Sequence, residues 1–193
     1  MKPKESLRLF SLLLLLLLLT GCNPLLPYLE WKIDARPGDF QVTPRRVSTQ
    51  TMRDGVQLQA WIYLPVDVPQ APTVLVRAPL PDMFAVRQIA DGFGRFFGSR
   101  GYAVVIQGIR GKFKSAGSYT PLVNERNDGD DTLQWLKQQV FYNGRIVMWG
   151  GSVFGFTQWA IADLLPTTGS ALSIQIASSN FQEMFYPGGA FAL

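Results

Sequence analysis

The chain has 193 residues, 47% hydrophobic and 17% charged, a balance that supports a real core and excludes intrinsic disorder. Its formal charge is +4, but Lys2, Lys4, Arg8 and Glu5 fall in an N-terminal leader; removing them from 18 positive and 14 negative residues leaves 15 against 13, a net +2. That remainder has no clustered basic face, so no nucleic-acid partner is expected.

Residues 1–21 follow the plan of a secretory signal: a basic start, an apolar run from Leu12 to Leu19, then small residues before a cysteine. The apolar run is shorter than the roughly 20 residues that a membrane span requires. Leu19-Thr20-Gly21-Cys22 resembles a bacterial lipobox, which implies that Cys22 carries a diacylglyceryl group and becomes the mature N-terminus. The bland alternative is a small apolar residue closing an uncleaved anchor helix. Cys22 is the single cysteine, so no disulfide forms within one chain. Each buried acyl methylene contributes about 0.8 kcal/mol, so two or three chains hold a protein stably on a membrane. The expected location is therefore the cell envelope. By resemblance to the enterobacterial sorting rule, Asn23 after the cysteine favours the outer membrane, facing the periplasm.

Residues 22–45 form a tether or strap, because Pro24, Pro27, Pro37, Gly38 and Pro44 interrupt regular structure. The folded part is expected over 46–193. Val47 to Met52 and Val56 to Leu64 predict two strands around the turn Arg53-Asp54-Gly55, an antiparallel entry hairpin. Thr73 to Val76 is a short apolar run suited to a strand covered on both faces. Phe84 to Gly98 is predicted helical despite its glycines, and Tyr102 to Ile106 is a second covered strand. A helix over Asp128 to Gln139 starts with acidic residues and places Leu133, Leu136 and Val140 on one face. Ile146 to Trp149 then predicts a strand, Phe154 to Leu164 a helix, and Leu172 to Ala177 a strand. Strand and helix alternating at this spacing mean parallel strands joined by crossover helices, an α/β fold whose sheet is mostly parallel after its antiparallel hairpin.

Between the third of these later strands and its helix stands Met148-Trp149-Gly150-Gly151-Ser152-Val153-Phe154-Gly155. A serine on a sharp strand-to-helix turn is the nucleophile position of α/β-hydrolases, and the turn requires small neighbours. Gly150 meets that need, although the common pattern G-x-S-x-G places glycine where Phe154 stands. Such a turn also aims the backbone N–H after the serine, here that of Val153, at a developing oxyanion. The tripeptide Gly-Gly-Ser by itself is equally an ordinary strand-to-helix connection.

Several segments, in order and spacing, are similar to the Xaa-Pro dipeptidyl-peptidase and cocaine esterase (CocE/NonD) family of serine hydrolases. They include Arg53 to Leu58, Tyr63-Leu64-Pro65, Arg77-Ala78-Pro79, Arg100 to Val105, Arg110-Gly111 and Ser115-Ala116-Gly117. Asp131-Thr132, Trp135-Leu136, Asn143 to Ile146 and Gly150 to Trp159 continue the likeness. The family's own turn has glycine three residues after the serine, as at Gly155. The resemblance implies an α/β-hydrolase acting on esters, peptides or amides through an acyl-enzyme, with Ser152 as nucleophile and the Val153 N–H in the oxyanion hole. It implies no cofactor and no metal; no histidine, cysteine cluster or phosphate-binding G-x-x-x-x-G-K-[ST] loop supports either a metal or a nucleotide.

Three positions depart from the family. Leu80 stands where a tyrosine completes the oxyanion hole, Val153 replaces another tyrosine, and Gly108 replaces an aspartate, which is expected to cost Arg110 a charge-assisted partner. Arg110, Asp130 and Asp131 are read as a surface ion-pair network rather than as catalytic groups. No residue is a histidine. In the family the acid and then the histidine follow the serine, and Tyr186 to Phe191 falls near entry to a helical cap. The chain is therefore expected to be an N-terminal portion of a hydrolase, its sheet incomplete and the chain inactive by itself. The competing expectation is a non-catalytic envelope lipoprotein that binds a peptide or protein on a hydrolase-like fold.

Overall fold

The computed structural model describes residues 34–191. The leader, Cys22 and the first half of the tether lie outside the described residues. Asp39–Leu193 forms one compact unit. Its elements are strands β1 (Arg46–Thr51), β2 (Gln57–Tyr63) and β3 (Ala71–Ala78), helix α1 (Phe84–Gly98), strand β4 (Ala103–Gly108), helix α2 (Glu125–Lys137) and strand β5 (Tyr142–Gly151). Helix α3 (Val153–Trp159), strand β6 (Ser170–Gln175) and the short helix α4 (Phe181–Phe185) follow.

Six strands make one sheet in the order β1-β2-β4-β3-β5-β6. The β1–β2 and β2–β4 pairs are antiparallel, whereas β4–β3, β3–β5 and β5–β6 are parallel. The entry hairpin and the parallel remainder match the expected architecture.

Alternation along the strands sorts the core into two layers, because successive side chains leave opposite faces of a sheet. Ala60, Ile62, Leu75, Val105, Ile146 and Met148 face Leu133 and Leu136 of α2. Trp61, Tyr63, Val74, Val76, Val104 and Ile106 face the other way, where Ala90, Phe93 and Phe97 of α1 pack. Strand β4 is buried along its whole length and β3 at every position but Pro72, as their near-continuous apolar runs require.

Two of those strands outrun their apolar cores, and the reason is a buried polar ladder. Arg77 extends β3 while 1% exposed; its Nε donates to Gln107 Oε1 at 3.2 Å and its Nη1 to the Glu125 carbonyl at 2.6 Å. Gln107 extends β4, donating to Gln50 Oε1 at 3.1 Å and accepting from Thr132 Oγ1 at 2.9 Å. Polar side chains partnered in this way can be buried where unpartnered ones would destabilise the sheet.

The predicted helix over Phe154 to Leu164 is instead two pieces. Ile161, fully buried, leaves helical geometry at φ −130° and separates α3 from a 3-10 turn over Ala162–Leu164. The strap also begins to fold earlier than Arg46: Phe40 N–H donates to Ser99 O at 3.0 Å, Thr43 N–H to Leu64 O at 2.9 Å, and Val42 bridges Pro65.

Candidate active site

Strand β5 runs to Gly151 and α3 starts at Val153, so Ser152 alone makes the turn between them. Its dihedrals are φ 55° and ψ −127°, outside the ordinary wells for a residue with a Cβ, at a cost on the order of 1–3 kcal/mol. The surroundings hold it there. Ser152 N–H donates to Gln175 O at 2.8 Å, and its carbonyl accepts from Gly155 N–H at 2.9 Å and Phe156 N–H at 3.2 Å. Buried Gln158 donates to Gly150 O at 2.9 Å and to Ser173 O at 3.2 Å, tying α3 to both flanking strands. Gly150 has φ 139°, and a Cβ there would lie 2.4 Å from Phe154 Cβ, so the turn admits no larger residue two places before the serine.

Ser152 is exposed and lines a cavity of about 230 Å³ with Val153, Phe156, Ile176, Phe181, Met184 and others. The Val153 N–H stands in the first turn of α3, where a helical amide has no carbonyl four residues back. Nearly all the lining is apolar. Among the described residues, Tyr119 is the only lining side chain besides Ser152 able to donate a hydrogen bond. Burial, and then the charge of Glu125, raise the Tyr119 pKa and keep the phenol protonated. Tyr119 was not recognisable from sequence, since it sits in an irregular loop with no periodicity. Its only signal was its place two residues after Ser115-Ala116-Gly117.

Leu80 lies in the loop after β3 and does not line the cavity; its carbonyl accepts the Phe113 N–H at 3.1 Å. Gly108 is needed where it stands. A Cβ there would approach Lys112 O to 2.4 Å, in a turn where the Gly108 carbonyl accepts from Ser115 Oγ at 2.8 Å.

The expectation that Gly108 leaves Arg110 without a charge-assisted partner is corrected. Arg110 Nε and Nη2 grip both Asp128 oxygens at 2.8 and 2.6 Å, and Nη1 reaches Asp54 at 2.6 Å. Asp130 and Asp131 do belong to an ion-pair network, but with Arg53, at 2.6 and 2.8 Å. Neither cluster contains a residue lining the Ser152 cavity. Behind the sheet, Glu125 is 4% exposed with one carboxylate oxygen unpartnered, and burial raises its pKa. Burial likewise pushes Arg77 down to about 10, against the opposing pull of Asp128 and Glu125. Among the described residues no cluster of three His, Cys, Asp or Glu side chains is placed to hold a metal ion.

A mostly parallel sheet with helices on both faces, and a serine on a strained turn from strand to helix, define an α/β-hydrolase domain. Residues 54–193 match the X-Pro dipeptidyl-peptidase (S15 family), and the chain belongs to that family. It is similar to a cocaine esterase from Rhodococcus sp. (strain MB1 Bresler), at 37% identity over 146 residues, 74% of this chain and 25% of the esterase. Two solved structures are similar at 28% identity, each over 72% of this chain and 26% of its own. One is an aminopeptidase from a marine sediment archaeon, Thaumarchaeota archaeon, with a TM-score of 0.57. The other is an alpha-amino acid ester hydrolase, with a TM-score of 0.55. The chain thus spans about a quarter of the length of the relatives it matches.

Proposed function

We propose that this chain carries the nucleophile of an envelope-located, lipid-anchored serine hydrolase that cleaves an ester or amide bond through an acyl-enzyme. The observation that carries the reading is Ser152, held at positive φ on the turn between β5 and α3 and opening into an apolar cavity. Family membership supports it.

In the proposed reaction Ser152 Oγ forms a bond to the substrate carbonyl carbon while the carbonyl π electrons move to oxygen. The Val153 N–H donates to that oxyanion. Collapse breaks the bond to the leaving alcohol or amine, which departs with the proton that Oγ gave up. Water then adds to the acyl-enzyme and releases the acid, and Oγ regains a proton. None of the 193 residues is a histidine, so the base that ferries these protons is assigned to a group outside them, and the chain by itself is expected to turn over poorly.

A fluorophosphonate tests this on protein expressed from the whole reading frame. The wild type is expected to become covalently labelled and Ser152→Ala to remain unlabelled. Labelling that persists in Ser152→Ala, or no labelling of the wild type, sinks the reading. The second of these outcomes favours a non-catalytic lipoprotein that binds a peptide or protein, a reading supported by Leu80 having no donor and by the absence of histidine.

A further inference from the structure

The Val153 N–H is one donor to the oxyanion, and serine hydrolases ordinarily present more than one. The tyrosine that would supply a second donor is Leu80 here, with no hydrogen to give and no place in the cavity wall. The wall offers one substitute. Among the described residues its side chains are aliphatic, aromatic or thioether except for Ser152 and Tyr119, so Tyr119 is the one lining residue besides the nucleophile that carries a hydroxyl.

The loop that carries Tyr119 is anchored close by. Gln59 N–H donates to Ser115 Oγ at 2.9 Å, Ser115 Oγ donates to Gly108 O at 2.8 Å, and Ala116 N–H donates to Gln57 O at 2.8 Å. The Gly111 N–H donates to Ala116 O at 3.1 Å and closes the loop on itself. Lys112 Nζ sits over the face of the Tyr119 ring, 4.7 Å from its centroid, and favours that ring position. A ring held this way presents its hydroxyl without the entropic cost of ordering a free side chain at each turnover.

Resting on the reading of Ser152 as nucleophile, we propose that the Tyr119 hydroxyl donates a hydrogen bond to the oxyanion formed there, supplying from the loop after β4 the donor that Leu80 lacks. No bond to Tyr119 forms or breaks: its O–H points to an oxygen that turns from carbonyl to alkoxide and back. The hydrogen bond strengthens as charge develops, so its contribution falls on the rate of the covalent step rather than on ground-state binding.

The test is saturation kinetics of fluorophosphonate labelling on protein from the whole reading frame, comparing wild type, Ser152→Ala and Tyr119→Phe. Tyr119→Phe keeps the ring, its stacking on Lys112 and the loop, and removes only the hydroxyl. The limiting labelling rate is expected to fall roughly 100-fold with the half-saturating probe concentration unchanged, the usual effect of removing one oxyanion donor. If Tyr119→Phe labels at the wild-type limiting rate while Ser152→Ala does not label, the role of Tyr119 is overturned and the nucleophile stands. A Tyr119→Phe change confined to half-saturation also overturns it, because that marks a packing role. Absence of labelling in the wild type removes the nucleophile, and this role with it.

Discussion

Glu125 shows what a single buried side chain does to the behaviour of the protein in solution. Burial raises its folded pKa above the ordinary carboxylate value, so over that interval the native state binds more protons than the unfolded chain. The contribution to stability is present below pH 4.5 and is lost as pH rises through the raised folded value. Glu125→Gln does not titrate. Denaturant unfolding from pH 4 to pH 7 is therefore expected to show wild-type stability declining relative to the variant, and a constant difference would refute it. Single residues differed in how far sequence alone revealed them. The position of Ser152 on a strand-to-helix turn was legible, because such a turn demands small neighbours and leaves them in a short local pattern. Glu125 and Tyr119 were not, because burial and a shared cavity are made by residues distant in sequence. Gly108 looked like a loss until the turn around it showed that a side chain has no room.

Between elements, the two arginine clusters look alike in sequence and differ in energy. Arg110 side chain is 11% exposed and clasps Asp128, 2% exposed, joining the loop after β4 to α2. Arg53 is 48% exposed and pairs with Asp130 and Asp131 at 30% and 15%. Removing a partner from a buried pair strands an uncompensated charge, so Arg110→Ala is expected to cost about 3–5 kcal/mol. Arg53→Ala, at the surface, should cost far less, because solvent screens an exposed pair. Urea midpoints of the two variants measure the contrast, and equal losses would show that burial is not what sets it. Strand and helix types followed from period and composition, but ends did not. Apolar runs stop at Arg77 and Gln107, whereas the strands continue, because these side chains join a polar ladder assembled from four elements, β1, β3, β4 and α2.

At the scale of the whole molecule, the alternation of strand and helix was enough to foresee a mostly parallel sheet with an antiparallel entry. The strand order was not, since no local pattern says that β4 inserts between β2 and β3. No helix among the described residues is long and apolar enough to cross a membrane. The proposed attachment is through lipid at Cys22. Cells fed labelled palmitate are expected to mark the wild-type protein, and Cys22→Ser is expected to lose the label and leave the membrane fraction; equal labelling of both would dismiss the anchor. The central position of β3 has a further consequence, for the time at which the chain can fold. Thr73 pairs with Ala103 on one side and Ile146 on the other, partners 30 and 73 residues further along. During synthesis at about 5–20 residues per second, one edge of β3 therefore waits on the order of 4–15 s for its neighbour to emerge. For that interval the ribosome holds an apolar strand with a row of unpaired amides and carbonyls, the form in which this protein most needs a chaperone.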